Sequence, residues 1–192
     1  MNNLLFENIQ KHIDLITNYV QYKKSKINQL ANMIIECFQR GNKVLIFGNG
    51  GSASDSQHIA GEFMNKIKVN VAQPMPAISL SSDISVVTSI ANDINYDSIF
   101  SRQIQMLGKK GDISIGLSTS GRSENFIKGI ESSLYYGLST VIFTGQIENN
   151  LDYNLGFKIP SNNTARIQEV YMFILHTVCE MVEQHFYNWE NS

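Results

Sequence analysis

His58 and Glu62 stand four residues apart in a stretch, Ser52 to Lys66, that reads as helix. That spacing puts an imidazole and a carboxylate on one helical face, about 6 Å apart along the axis. These are the side chains of acid–base chemistry. An isolated His-x-x-x-Glu is an ordinary surface pair. This one follows a glycine-rich loop, Phe47-Gly48-Asn49-Gly50-Gly51-Ser52-Ala53-Ser54, which makes it a candidate for function. The loop joins a strand to a helix, and glycines there let backbone approach a ligand while helix-terminal amides face an anion. It is neither GxGxxG at full length nor a Walker loop, so a plain structural turn stays open beside a ligand cradle.

A second loop, Leu117-Ser118-Thr119-Ser120-Gly121-Arg122-Ser123, also runs from strand into helix. Hydroxyls and helix-terminal amides clustered around one glycine form a nest for a phosphate dianion. The bland alternative is N-capping by Ser123, for which one hydroxyl suffices. Two such loops on one sheet favour a phosphorylated small ligand. A third group lies on the last helix: Arg166-Ile167-Gln168-Glu169, then His176 off the centre of the apolar stripe Ile167, Val170, Ile174, Val178 and Met181. His12 and His185 look ordinary.

The elements that must hold these residues alternate. Strands are expected at Lys43–Gly48, Ala77–Leu80, Asp112–Leu117, Ser139–Thr144 and Leu155–Ile159. Helices are expected at Ser52–Lys66, Ser82–Ala91, Asp97–Leu107, Glu124–Tyr136 and Thr164–Phe186. The first 40 residues read as two helices, with stripes Phe6, Ile9, Ile13, Ile16, Val20 and Ile27, Leu30, Ala31, Ile34, Ile35, Phe38. Gly41-Asn42 closes the second of them. Strands apolar on both faces, alternating with helices, predict an α/β fold with a doubly wound five-stranded parallel sheet covered on both sides. Ligands on such sheets bind at the carboxyl ends of the strands, where both polar loops lie.

With 192 residues, 15 Lys+Arg and 17 Asp+Glu, the chain suits one domain over 1–192 and carries a formal charge of −2. That balance disfavours nucleic acid or an anionic membrane as partner. Cys37 and Cys179 form no CxxC or zinc-ribbon spacing and are expected as buried free thiols in a reducing compartment. With no signal-peptide core and no apolar run of about 18–20 residues, the expected location is the cytoplasm.

Three blocks together carry a resemblance: GNGGSASDSQHIAGEF (48–63), ANDINYDSIFSRQIQMLGKKGDISIGLSTSGRSENFIKGI (91–130) and ARIQEVYMFILHTVCEMVE (165–183). They resemble the sedoheptulose-7-phosphate (phosphoheptose) isomerases of the sugar-isomerase (SIS) superfamily, essentially end to end. The resemblance implies a single SIS domain and an aldose–ketose isomerase. Its product would be glycero-manno-heptose 7-phosphate, made toward bacterial lipopolysaccharide or capsule. It implies Glu62 as catalytic base and His176 as its acid–base partner. It implies Ser118, Thr119, Ser120 and Ser123 as phosphate cradle, with Asn49, Gly50, Gly51, Ser52, Asp93 and Gln168 at the substrate. It further implies one zinc ion per site on His58, Glu62, Gln168 and His176, and a homotetramer built with the 1–40 helical region, its sites between subunits.

Lys66, Ala91 and the 146–150 segment depart from the family pattern, a point charge replacing bidentate Arg in the first case. Other readings are a SIS isomerase of a different phosphosugar, a regulatory phosphosugar sensor, and a non-catalytic SIS protein that binds the replication initiator. A relative of the last kind shares the AND and ARIQE motifs but lacks counterparts of both Glu62 and His176. Gln168 and His176 lie eight residues apart, about 12 Å along one helix and ~80° around it. That spacing leads to the expectation that Gln168 of one chain and His176 of its neighbour complete the site begun by His58 and Glu62.

Overall fold

The computed structural model describes residues 2–65, 68, 71–146 and 150–190. Five strands, β1 (Val44–Gly48), β2 (Ala77–Ser79), β3 (Ile113–Ser118), β4 (Ser139–Thr144) and β5 (Leu155–Lys158), form one sheet in the order β2-β1-β3-β4-β5. Every neighbouring pair is parallel, with Val44 opposite both Ala77 and Ile113 and Ile113 opposite Ser139. β1 and β3 are buried throughout, as strands covered on both faces must be.

Helices α1 (Asn2–Asn18), α2 (Lys24–Gln39), α3 (Gly51–Met64), α4 (Ile84–Asp93), α5 (Ile99–Leu107), α6 (Glu124–Tyr135) and α7 (Thr164–Glu190) supply the two covers. Successive side chains of a strand point to opposite faces, and the core divides accordingly. Val44 and Ile46 pack with Leu30 and Phe38 of α2, Ile59 and Phe63 of α3, and Ile174 and Val178 of α7. Leu45 and Phe47 pack with Phe100 and Ile104 of α5 and Phe126 and Ile130 of α6. Each such side chain contributes roughly 1.5–3 kcal/mol by leaving water. Both cysteines are buried and free, and burial pushes the Cys37 thiol up to about 12.

Several element boundaries, and the role of one apolar stripe, differ from what the sequence predicts. The α4 helix begins at Ile84 because the Asp83 carboxylate accepts from Val86 N at 3.1 Å, capping the helix one residue after Ser82. The first apolar stripe is not a core stripe of this chain: Phe6, Ile9 and Ile13 are 66%, 48% and 45% exposed, and only Val20 is buried.

The sheet end away from the loops is pinned by Asp112, whose side chain is 1% exposed beside Lys43. It accepts from Lys43 Nζ, Asn42 Nδ2 and the amides of Lys43 and Lys109. Burial alone would raise its pKa, but these donors outweigh it and hold the carboxyl below its ordinary value. No helix among the described residues is long and apolar enough to cross a membrane.

Candidate active site

In a sheet of this strand order the crossovers leave β1 and β3 in opposite directions, which opens a crevice at their carboxyl ends. Gly48 pairs with Leu117, so the two polar loops rise side by side from that crevice. Gly50 turns the first loop into α3 at φ +56, a conformation L side chains rarely adopt. Asn49 is held by a reciprocal amide pair with Asn125, at 2.8 and 3.1 Å, and its oxygen also accepts from the Tyr96 hydroxyl. Asn49 Oδ1 is thereby engaged twice, and its remaining N–H is what it offers a ligand.

The second loop closes on itself. Ser118 Oγ accepts from Gly121 N and Ser120 Oγ from Arg122 N, so both hydroxyls keep their protons for a ligand. Gly145 N donates to Thr119 O at 3.1 Å and ties the loop to the end of β4. Ser123 occupies the N-cap position of α6, yet its side chain makes no capping bond. The bland explanation for that hydroxyl is therefore not realised in the fold. Thr119, Ser120 and Arg122 line a polar cleft of about 250 Å³ with Gln146, Ser161 and Thr164. Among the described residues the Arg122 guanidinium has no hydrogen-bond or ion-pair partner.

The α3 and α7 helices pack side by side, and this brings His58, Glu62 and His176 together. His58 Nε2 lies 3.0 Å from Glu62 Oε1 and 3.3 Å from His176 Nε2. One ligand atom from each residue lies within 4.8 Å of the others. Two imidazole nitrogens that face each other so closely need a proton or a cation between them, since paired lone pairs repel. Tetrahedral zinc with bonds of about 2.0–2.2 Å separates its donors by about 3.3–3.6 Å. The 3.3 Å between the two imidazole nitrogens and the His, Glu, His chemistry fit such an ion, with a position left open. Gln168 lies back along α7 from His176, where its Nε2 donates to Asp55 Oδ2 at 3.3 Å.

The chain matches the SIS-domain family model over residues 7–145. It is 41% identical over 182 residues to the phosphoheptose isomerase of Roseiflexus sp. (strain RS-1), which covers 94% of this chain and 92% of that one. It is 45% identical over 163 residues to that of Thermodesulfovibrio yellowstonii, covering 83% and 80%. The chain belongs to the phosphoheptose isomerase family. Among solved structures, a phosphoheptose isomerase from Francisella tularensis superposes with a TM-score of 0.88 at 28% identity, covering 96% of this chain and 98% of that one. The phosphoheptose isomerase GmhA of Neisseria gonorrhoeae gives a TM-score of 0.85 at 28% identity, covering 94% and 98%.

For a phosphoheptose isomerase, the expected residues divide into those the fold gathers and those it sets apart. Asn49, Gly50, Gly51 and Ser52 share the first loop, Ser118, Thr119, Ser120 and Ser123 the second, and His58, Glu62 and His176 the facing sides of α3 and α7. Asp93 stays exposed at the end of α4, where it accepts from its neighbour Asn92. Ala91 is half-buried on the same helix. Lys66 and residues 147–149 lie outside the described residues. One part of the shared-site expectation is decided: His176 needs no neighbouring chain to reach His58 and Glu62. His176 meets His58 and Glu62 of its own chain, because packing of α3 against α7 brings the two helix faces together without a neighbour. The eight-residue spacing from Gln168 to His176 describes α7 alone, whereas the partners His176 meets are set by the α3 helix packed beside it.

Several residues went unnoticed in the sequence. Asn125 and Tyr96 hold Asn49, and the buried Tyr171 hydroxyl bonds Asp55 and Ser52. A polar residue in the first turn of α6 was the only available sign for Asn125. His12 is not ordinary either: its Nδ1 lies 2.8 Å from Glu169 Oε2, and with the Arg166 bond to Asn8 O it fastens α1 to α7.

Proposed function

We propose that this protein isomerises sedoheptulose 7-phosphate to glycero-manno-heptose 7-phosphate for bacterial heptose-containing glycans. The observation that carries the proposal is the meeting of His58, Glu62 and His176 in one chain, in a fold whose two hydroxyl-rich and glycine-rich loops share one crevice. Phosphate would sit on Ser118, Thr119, Ser120 and Ser123, with free hydroxyl protons and helix-terminal amides as donors. Asn49 N–H, the Gly50–Gly51 backbone, Ser52, Asp93 and Gln168 would face the polyol chain. Binding at the phosphate end would hold the reacting carbons in place.

Aldose–ketose isomerisation moves a proton between C1 and C2 and shifts carbonyl character between their oxygens. Glu62 would take the carbon-bound proton. One of its oxygens is turned to His58 and the other has no hydrogen bond among the described residues, which leaves a lone pair for the substrate. His176 would carry the proton between the two oxygens. His58, Glu62 and His176, with Gln168, would hold one zinc ion, which would polarise the carbonyl oxygen.

The exposed stripe of Phe6, Ile9 and Ile13 supports a role for the 1–40 region in self-association, as a homotetramer. The location proposed is the cytoplasm, and no nucleic-acid or membrane partner is proposed. The test is turnover of sedoheptulose 7-phosphate with and without a chelator. Turnover that the chelator abolishes and zinc restores is expected. A purified, folded chain that leaves this sugar phosphate untouched while isomerising a different one would overturn the substrate assignment.

A further inference from the structure

Asp55, on α3 between the first loop and His58, has no part in the mechanism above. Its Oδ2 accepts from the Tyr171 hydroxyl at 2.5 Å and from Gln168 Nε2 at 3.3 Å. Tyr171 is completely buried, and its hydroxyl is the donor in the bond to Asp55. A phenol has one proton, and Tyr171 gives it to Asp55. The 2.9 Å contact between Ser52 Oγ and Tyr171 Oη must then be a donation by Ser52.

The same bookkeeping applies to Gln168. A carboxamide has two unlike ends, and a carboxylate only accepts. The nitrogen end must face Asp55, and the oxygen is the end left over. Room for this comes from Gly51, where a Cβ would stand 2.5 Å from Gln168 Nε2.

We propose that Asp55 is a positioning residue that sets the polarity of Gln168, holding its amide nitrogen so that its oxygen is offered to the site as an acceptor. What such an oxygen binds is an electron-poor centre, either a hydroxyl proton of the sugar chain or a metal ion. The inference rests on the function read above, and the measurements separate the two.

Asp55→Asn keeps the shape but can donate, so the Gln168 carboxamide is free to turn over. The expected result is a fall of about 10–100-fold in kcat/KM for sedoheptulose 7-phosphate, with the melting temperature unchanged. The double substitution Asp55→Asn/Gln168→Glu should recover most of that loss, because a carboxylate presents oxygen at both ends and needs no orienting. Gln168→Glu alone should be worse than the double, since it sets two carboxylates against each other. A merely structural role for Asp55 predicts no such rescue.

Zinc affinity, measured by competition with a chromogenic chelator, distinguishes the two ligands. A parallel loss and rescue of zinc affinity identifies the metal; a raised KM at unchanged zinc affinity identifies the sugar hydroxyl. Wild-type kcat/KM and zinc affinity in Asp55→Asn, or a double variant no better than the single, overturns the proposal. A wild-type chain inert toward sedoheptulose 7-phosphate overturns the function instead. The zinc affinities of the same four proteins then decide the polarity of Gln168, and the absence of loss and rescue rejects it.

Discussion

Ser123→Ala separates the two physical roles open to a serine at the start of a helix. A capping serine holds a backbone amide, and its loss destabilises a protein by about 0.5–2 kcal/mol. In a chain of this size that would lower the melting temperature by about 1–8 °C. Here the Ser123 side chain makes no capping bond, although it occupies the N-cap position of α6. The variant should therefore melt within about 1 °C of the wild type without ligand. The hydroxyl's partner would be the phosphate dianion, and a hydrogen bond to a charged group is worth about 1.5–3 kcal/mol. At about 1.4 kcal/mol per factor of ten, affinity for the phosphosugar should fall roughly 10- to 150-fold. Differential scanning calorimetry of the free protein and isothermal titration with sedoheptulose 7-phosphate measure the two effects on one sample. A lowered melting temperature with unchanged affinity would refute the reasoning and return Ser123 to a structural role.

Glu62→Gln and His176→Gln should each reduce turnover by about 10²–10⁴-fold while leaving the fold intact, as circular dichroism and steady-state rates will show. Because both groups meet within one chain, exchanging subunits between the two variants should restore no activity; recovery on mixing would show that neighbouring chains share the pair. The buried Asp112 carboxyl, its pKa held below the ordinary 3.8, contributes stability that is complete above that value and lost as pH falls through its lower folded value. Asp112→Asn should cost about 3 kcal/mol at neutral pH, the lower end for a broken buried pair because the Lys43 side chain keeps 18% exposure. Urea melts from pH 7 down to pH 3 should show a shallower acid limb in that variant, and parallel limbs would assign the acid sensitivity elsewhere.

Local chemistry decided much of this protein before any tertiary contact. The alternation of short apolar runs with amphipathic stretches identified all five strands and the doubly wound sheet, because strands buried on both faces leave no polar position for water. The glycine-rich turn and the hydroxyl loop were legible for a similar reason: each follows a strand and opens a helix, a local pattern of composition. Three things depended on elements distant in sequence. One was that His176 joins His58 and Glu62, which follows from the packing of α3 on α7 across more than a hundred residues. Another was the support beneath the site, where Asn125 and Tyr96 hold Asn49, and Asp55 and Tyr171 hold Gln168 and Ser52. The third was the fate of the α1 stripe, whose 3.6-residue period reveals an apolar face but not what covers it. Periodicity records which side of an element avoids water, whereas the partner that meets that side is chosen by how helices and sheet pack in three dimensions.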